Sequence, residues 1–254
     1  MKLICLNTWG GQAGKEKLLA FFNVHKDADI FCLQEVWTAP HKDFEGRLVA
    51  RKPLDYSKTM VNGVQEISAV LQDFTPFFRP LLADNYGLLM LVKREYRVIN
   101  EGEFFVYKER GYIAEDDVAN HARTIQYITI ETKKSPVTVI NFHGLWNGGG
   151  KTDSPDRLEQ SEKIINFVRK LENPYIICGD FNLLPETESL KKFEKYGLRN
   201  LIKEYGITST RTSFYTKPEK HADYIFISNG VKVKDFKVLP DEVSDHAPLY
   251  LEFE

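Results

Sequence analysis

Asp180 and Asn182 stand two residues apart in YIICGDFNLLPE, residues 175–186, where an apolar run ends. In an extended chain alternate residues share a face, so the carboxylate and the carboxamide project together while Phe181 turns back toward the interior. Such a pair can present oxygen to a cation or hold a water against a phosphate. An Asx turn closing a strand accounts for the same two residues without any ligand. Further along, LICLN stops at Asn7, DIFCLQE at Glu35 and TVINFH at His143, Asp223 opens DYIFIS, and SDHAPLY places Asp245 and His246 just before an apolar stretch. Carboxylates and amide oxygens are hard ligands suited to Mg²⁺ or Mn²⁺, with water and a substrate phosphate completing the shell. The histidines remain for phosphate oxygens and proton transfer. With no thiolate in the set, a closed structural zinc site does not fit.

These residues need elements whose ends converge. KLICLNTW reads as a strand, EKLLAFFNVHKDA as a helix and ADIFCLQEVW as a second buried strand, giving a strand, helix, strand opening. Residues 60–74 have helical spacing. TPFFRPLL and NYGLLMLVKREYRV follow as strands with a turn at Asp84 and Asn85, and GEFFVYKE, ARTIQYITIE and PVTVINFHGLW continue a run suited to antiparallel pairing. WNGGGKTDSPD is a flexible loop by composition. SPDRLEQSEKIINFVRKLE after it carries a Ser cap and a Pro in the first turn of a helix. TESLKKFEKYGLRNLIKEYG reads as helix with a Gly break, and RTSFYTK, ADYIFIS, VKVKDFKVLP and APLYLEFE as strands. About a dozen strands and four or more helices, with no linker or repeat, predict one domain over residues 1–254 built as two packed sheets flanked by helices.

Bulk properties narrow the function. At 254 residues the chain can bury a large core, its net charge of −2 lacks the basic footprint of a protein that grips long nucleic acid by charge alone, and no apolar run approaches bilayer length. The N-terminus lacks the charged and apolar regions of a secretory signal, so a cytoplasmic location is expected. Cys5, Cys32 and Cys178 each sit in an apolar run without a CxxC spacing, as small core residues do. His25, His41, His121 and His221 have no partner spacing and are expected at the surface.

Taken in order, LNTW with Asn7, LQEVW with Glu35, GDFN with Asp180 and Asn182, DYIFIS with Asp223 and SDHAPL with Asp245 and His246 resemble the endonuclease/exonuclease/phosphatase family, the deoxyribonuclease I-like proteins. The resemblance spans residues 7–246. It implies an α/β four-layered sandwich, with two mainly antiparallel β-sheets face to face and helices outside. It also implies a Mg²⁺-dependent phosphoesterase, Mn²⁺ substituting, that hydrolyses a phosphodiester or phosphomonoester by direct in-line attack of water. On that basis Glu35 is the main metal ligand, with Asn7 and Asp245 in or beside the shell. Asp180 positions or deprotonates the water, Asn182 holds the phosphate or the same water, Asp223 orients His246, and His143 donates to a phosphate oxygen.

NFHGLW departs from the exonuclease III-like pattern, which lowers abasic-site repair without selecting among other phosphoesters. Trp9, Trp37 and Trp146 each follow a proposed site residue closely; they form an aromatic rim for substrate or pack beneath the loops. Lys151 in the glycine-rich loop and Arg123 are candidate phosphate contacts. The expected partner is a phosphoester substrate, whether small molecule, lipid head group or nucleic acid, and no protein partner is predicted. The alternatives are a DNA or RNA endo- or exonuclease and a phosphate-binding protein that has lost turnover.

Overall fold

The computed structural model describes residues 1–49 and 52–254. Its elements in chain order are β1 (Lys2–Asn7), α1 (Lys15–Val24), β2 (Ile30–Trp37), β3 (Leu48–Val49), β4 (Lys52–Pro53), α2 (Gly63–Val70), β5 (Phe74–Leu82), β6 (Tyr86–Lys93), β7 (Val98–Tyr107), β8 (Arg123–Ile130), β9 (Val137–His143), α3 (Pro155–Val168), β10 (Tyr175–Asp180), α4 (Glu188–Lys195), β11 (Arg199–Asn200), α5 (Leu201–Glu204), β12 (Asp223–Ile227), β13 (Val233–Val238) and β14 (Leu249–Phe253). Two six-stranded sheets run β13-β14-β1-β2-β6-β5 and β11-β12-β10-β9-β8-β7. Each has a single parallel pair, β1 with β2 and β9 with β10, at its centre. The expected four layers are therefore present, and both sheets are mainly antiparallel.

Burial on both faces explains why the central strands are apolar throughout. Leu3 and Cys5 of β1 and Ile30 and Cys32 of β2 face the opposite sheet, whereas Ile4, Leu6, Phe31 and Leu33 pack with Leu18 and Phe22 of α1 and Ile67 of α2. The three cysteines are free and buried, as their apolar runs predict. On the second sheet, Phe181 sits among Phe142, Phe193 of α4, Tyr224 and Phe226, with ring centroids 5.1–5.7 Å apart. Ser154 caps α3 by accepting a hydrogen bond from Arg157 N at 3.3 Å. No helix of the described residues is long and apolar enough to cross a membrane.

The helix with a Gly break expected over residues 187–206 is present: α4 stops at Lys195 before Gly197, whose φ of +100° a side chain rarely adopts, and α5 follows the two-residue β11. Three expectations need correction. The helix expected over residues 60–74 is only α2, because Leu71–Asp73 turn the chain into β5. RTSFYTK is no strand: only Arg211 bridges, to His246, and the chain then turns, with Tyr215 N donating to Thr212 O at 3.2 Å. Phe214 and Tyr215 pack on Trp9 and Arg211 instead of a sheet neighbour. His121 is buried, its Nδ1 2.8 Å from Val118 O, and is not a surface residue.

Candidate active site

The site is the polar end of the core between the two sheets. Asn7 continues the face of Leu3 and Cys5, and Asp180 continues the face of Ile176 and Cys178. In the second sheet Asp180 is the ladder partner of His143 on one side and of Asp223 on the other. Three functional side chains thus lie abreast at one sheet edge.

Glu35 needs a further device. Strict alternation from Phe31 and Leu33 would aim it at the helices. A register shift between Leu33 and Val36 in the β2–β6 ladder, with Glu35 itself at φ +60°, turns the carboxylate into the site. Left-handed backbone at a non-glycine residue stores strain that surrounding structure must hold. Below Glu35, buried Gln34 donates through Nε2 to Asn141 Oδ1 at 2.6 Å, and Asn141 Nδ2 donates to Leu33 O at 3.0 Å, pinning the bulge across the sheets.

Asp180 is the hub. Its Oδ1 accepts from Asn182 N at 2.8 Å, so the Asx turn is real, and its Oδ2 faces the site, 3.1 Å from Asn7 Nδ2, 3.5 Å from His246 Nε2 and 3.8 Å from His143 Nε2. Asn182 also has left-handed backbone, at φ +55°, and its Nδ2 donates to Gly144 O at 3.3 Å. Its placement thus comes from the turn and not from strand alternation. Burial opposes ionisation of Asp180, but His246, His143, Lys151 and Arg211 outweigh it and hold the carboxyl below the usual range.

Asp223 meets His246 Nδ1 at 2.8 and 2.9 Å and also accepts from Thr210 Oγ1 at 3.0 Å. Burial and Arg211 disfavour the imidazolium of His246; Asp223, Asp245 and Asp180 more than compensate, and its pKa is raised. His143 goes the other way. Burial, reinforced by Arg123, lowers it to about 3, so it is a neutral donor or acceptor. Burial raises Glu35 despite a 3.0 Å hydrogen bond from Asn7 Nδ2.

The donors suit a hard divalent cation. Glu35, His143 and Asp180 offer atoms within 4.8 Å of one another, as do Asp180, Asp223 and His246. Asp245 Oδ1 is buried with no hydrogen-bond partner, while its Oδ2 accepts from Arg211 Nη1 at 3.2 Å. That oxygen lies 3.7 Å from His246 Nε2, beyond hydrogen-bond reach, and an acceptor left unfilled there fits a ligand oxygen. Asn7 is differently turned: its Oδ1 accepts from Trp9 N at 2.9 Å, and its amide nitrogen holds Glu35 and Asp180 together. In this orientation it braces the carboxylates and does not offer oxygen to a metal.

The substrate-side candidates separate. Trp37 is buried against Tyr56 and Tyr86, beneath the site and not on its rim. Trp9 and Trp146 are half-buried and face the 211–217 turn, Trp9 6.5 Å from Phe214 and Trp146 under Lys217 Nζ at 5.7 Å. Arg123 is buried, giving Nη2 to Ala119 O while Nε and Nη1 have no partner. Lys151 points inward, and burial lowers its pKa to about 8. Its loop is tied down: Arg157 donates to Leu145 O, Leu184 N to Lys151 O, and Asp153 accepts from Ser189 N. Arg211, Thr210, Gln34, Asn141 and Ser244, whose hydroxyl donates to Asn7 O at 2.7 Å, were not singled out in the sequence. The discoverable sign was a polar residue at a core-facing strand position, as Asn141 is, two before His143.

A four-layered sandwich with carboxylates, amides and imidazoles crowded at one end of the inter-sheet core defines the deoxyribonuclease I-like class. The model of the Endonuclease/Exonuclease/phosphatase family matches residues 4–246, and the chain belongs to that family. No curated protein matches the chain in sequence. Among solved structures, a Bacteroides thetaiotaomicron mannosyl-6-phosphatase is similar with a TM-score of 0.72 and 17% identity over 100% of this chain and 99% of that one. An endonuclease/exonuclease/phosphatase from Bacteroides vulgatus gives 0.71 and 17% over 100% and 98%. D. rerio TDP2, solved with a single-strand DNA product, gives 0.71 and 14% over 100% and 98%. At these identities the likeness is one of fold.

Proposed function

We propose that the chain is a metal-dependent phosphoesterase that hydrolyses a phosphodiester or phosphomonoester by direct attack of water. The observation that carries this reading is the shared position of Asp180 Oδ2, within 3.1–3.8 Å of Asn7, His246 and His143. Glu35 and Asp245 would hold Mg²⁺, or Mn²⁺ in its place, which when bound neutralises charge on the phosphate and leaving oxygens. Asp180, kept ionised by its cationic neighbours, orients the attacking water and accepts its proton. Asn182 supports the phosphate or that water. His246, charged and oriented by Asp223, stabilises the negative charge that builds on phosphoryl oxygens. Neutral His143 donates one N–H to a phosphate oxygen from the facing wall.

A nuclease is the second reading. Lys17 over Phe214 at 5.6 Å and Lys217 over Trp146 at 5.7 Å pair cations with aromatic rings beside the site, a combination suited to nucleotides. Purified protein assayed with Mg²⁺ against bis-p-nitrophenyl phosphate, plasmid DNA, inositol phosphates and sphingomyelin separates the two. Turnover is expected to vanish in EDTA and in Glu35→Ala and His246→Ala. Activity that survives all three would overturn the proposal.

A further inference from the structure

Lys151 and Arg211 are buried cations with N–H groups that no acceptor among the described residues fills. Lys151 is 5% exposed, and its Nζ has no hydrogen-bond partner among the described residues. The Arg211 side chain is 4% exposed; Nη1 donates to Asp245 Oδ2, and Nε has no hydrogen-bond partner among the described residues. Both lie on one ring, Arg211 Cζ 4.0 Å and Lys151 Nζ 5.4 Å from the centroid of Tyr215. An aromatic face steadies a cation but supplies neither a hydrogen-bond acceptor nor a full counter-charge. A desolvated ammonium whose hydrogens meet no acceptor opposes folding, so its presence beside a reactive centre points to a ligand that accepts hydrogen bonds from it.

Charge selects the ligand. Lys151 Nζ and Arg211 Nε bring two cationic groups with unfilled N–H donors to the ring of Tyr215, beside Asp245. A terminal phosphate near neutral pH carries close to two negative charges and three free oxygens; a diester carries one charge and two free oxygens.

We propose that Lys151 and Arg211 clamp the free oxygens of a terminal phosphate and thereby select phosphomonoesters over phosphodiesters. This rests on the phosphoesterase reading above, and narrows its substrate class. Tyr215 packs against both cations, and the hydrogen bond from Leu184 N to Lys151 O fixes the Lys151 backbone without requiring a loop to close. Arg211 carries the second arm, bridging Asp245 and the incoming oxygen.

The test is calorimetric and needs no turnover. In Mg²⁺ buffer, inorganic phosphate serves as the monoester probe and dimethyl phosphate as the diester probe, with wild type, Lys151→Met and Lys151→Arg. Wild type should bind phosphate at least about tenfold more tightly than dimethyl phosphate. Lys151→Met should weaken phosphate by about tenfold and leave dimethyl phosphate within about twofold, and Lys151→Arg should restore most of the loss. Without phosphate, Lys151→Met should melt no lower than wild type, because it removes an unpaired buried charge. Absent selectivity in wild type, an equal effect on both probes, no effect, or a lower melting point would each overturn the clamp. The metal-based reading fails separately, through turnover that persists in EDTA.

Discussion

His246 Nδ1 lies 2.8 Å from Oδ1 and 2.9 Å from Oδ2 of Asp223, while Nε2 of the same ring lies 3.5 Å from Asp180 Oδ2. One nitrogen is thereby committed to a buried carboxylate, and the other is left facing the reacting region. Asp223 in turn is fixed by Thr210, whose hydroxyl donates to Oδ2.

This pairing sets an alkaline limit. The pKa of His246 is raised above 6.5, so folding favours the imidazolium. Its contribution to stability is complete below the unfolded value and is lost as pH rises through the folded one. Asp223→Asn should move the falling limb of the activity profile to lower pH and reduce kcat by about 10²–10⁴-fold. A pH–rate profile with an NMR titration of His246 checks both, and an unmoved limb contradicts the pairing.

Asp180 has the opposite sign. Its folded pKa lies below 3.8, so its ionised form adds stability above the unfolded value, and that contribution disappears as pH falls through the folded one. The stability difference between wild type and Asp180→Asn should be constant near neutral pH and shrink in acid. Urea melts at a series of pH values measure it, and a difference that grows in acid would contradict the assignment.

Metal binding should report through stability as well as rate. At a hundredfold excess over Kd, Mg²⁺ should stabilise wild type by about 2.7 kcal/mol, and Glu35→Gln should lose most of this. Burial raises the pKa of Glu35, so its ionised form opposes folding above the unfolded value. In EDTA, Glu35→Gln should therefore melt at or above wild type. Thermal melts with and without Mg²⁺ decide the point.

The scaffold behind Asp180 is equally open to measurement. Phe181→Ala empties the space between Phe142, Phe193, Tyr224 and Phe226 and should cost about 3–5 kcal/mol in urea unfolding. Gly179 has φ +151°, and an added Cβ would stand 1.8 Å from Phe142 O, where the parallel β9 strand crosses. Gly179→Ala should cost more than about 4 kcal/mol or prevent folding. A mild effect would mean the two strands can separate there.

Much of this was present in the residues themselves. Apolar runs that stop at Asn7, His143 and Asp180 fix strand ends, because a strand buried on both faces tolerates a polar side chain only where the core stops. The sandwich, the cap at Ser154 and the free core cysteines follow from local periodicity and chemistry of the same kind. Local rules fail at Glu35, whose direction depends on a bulge that appears only when β2 pairs with β6. They fail again at Arg211 and Tyr215, in a stretch with strand-like composition that instead turns against Trp9, Lys151 and Asp245. Trp37 and Trp9 look alike in sequence, each two residues past a site residue, yet one packs on Tyr86 beneath the site and the other meets Phe214. Sequence by itself thus determined that Asn7, His143 and Asp180 end their strands, since that depends on periods of two and on neighbours along the chain. Which way Glu35 turns, whether Asn7 offers oxygen or nitrogen, and that Lys151 meets Arg211 across one ring were decided by tertiary structure, because each depends on groups brought together from distant parts of the chain.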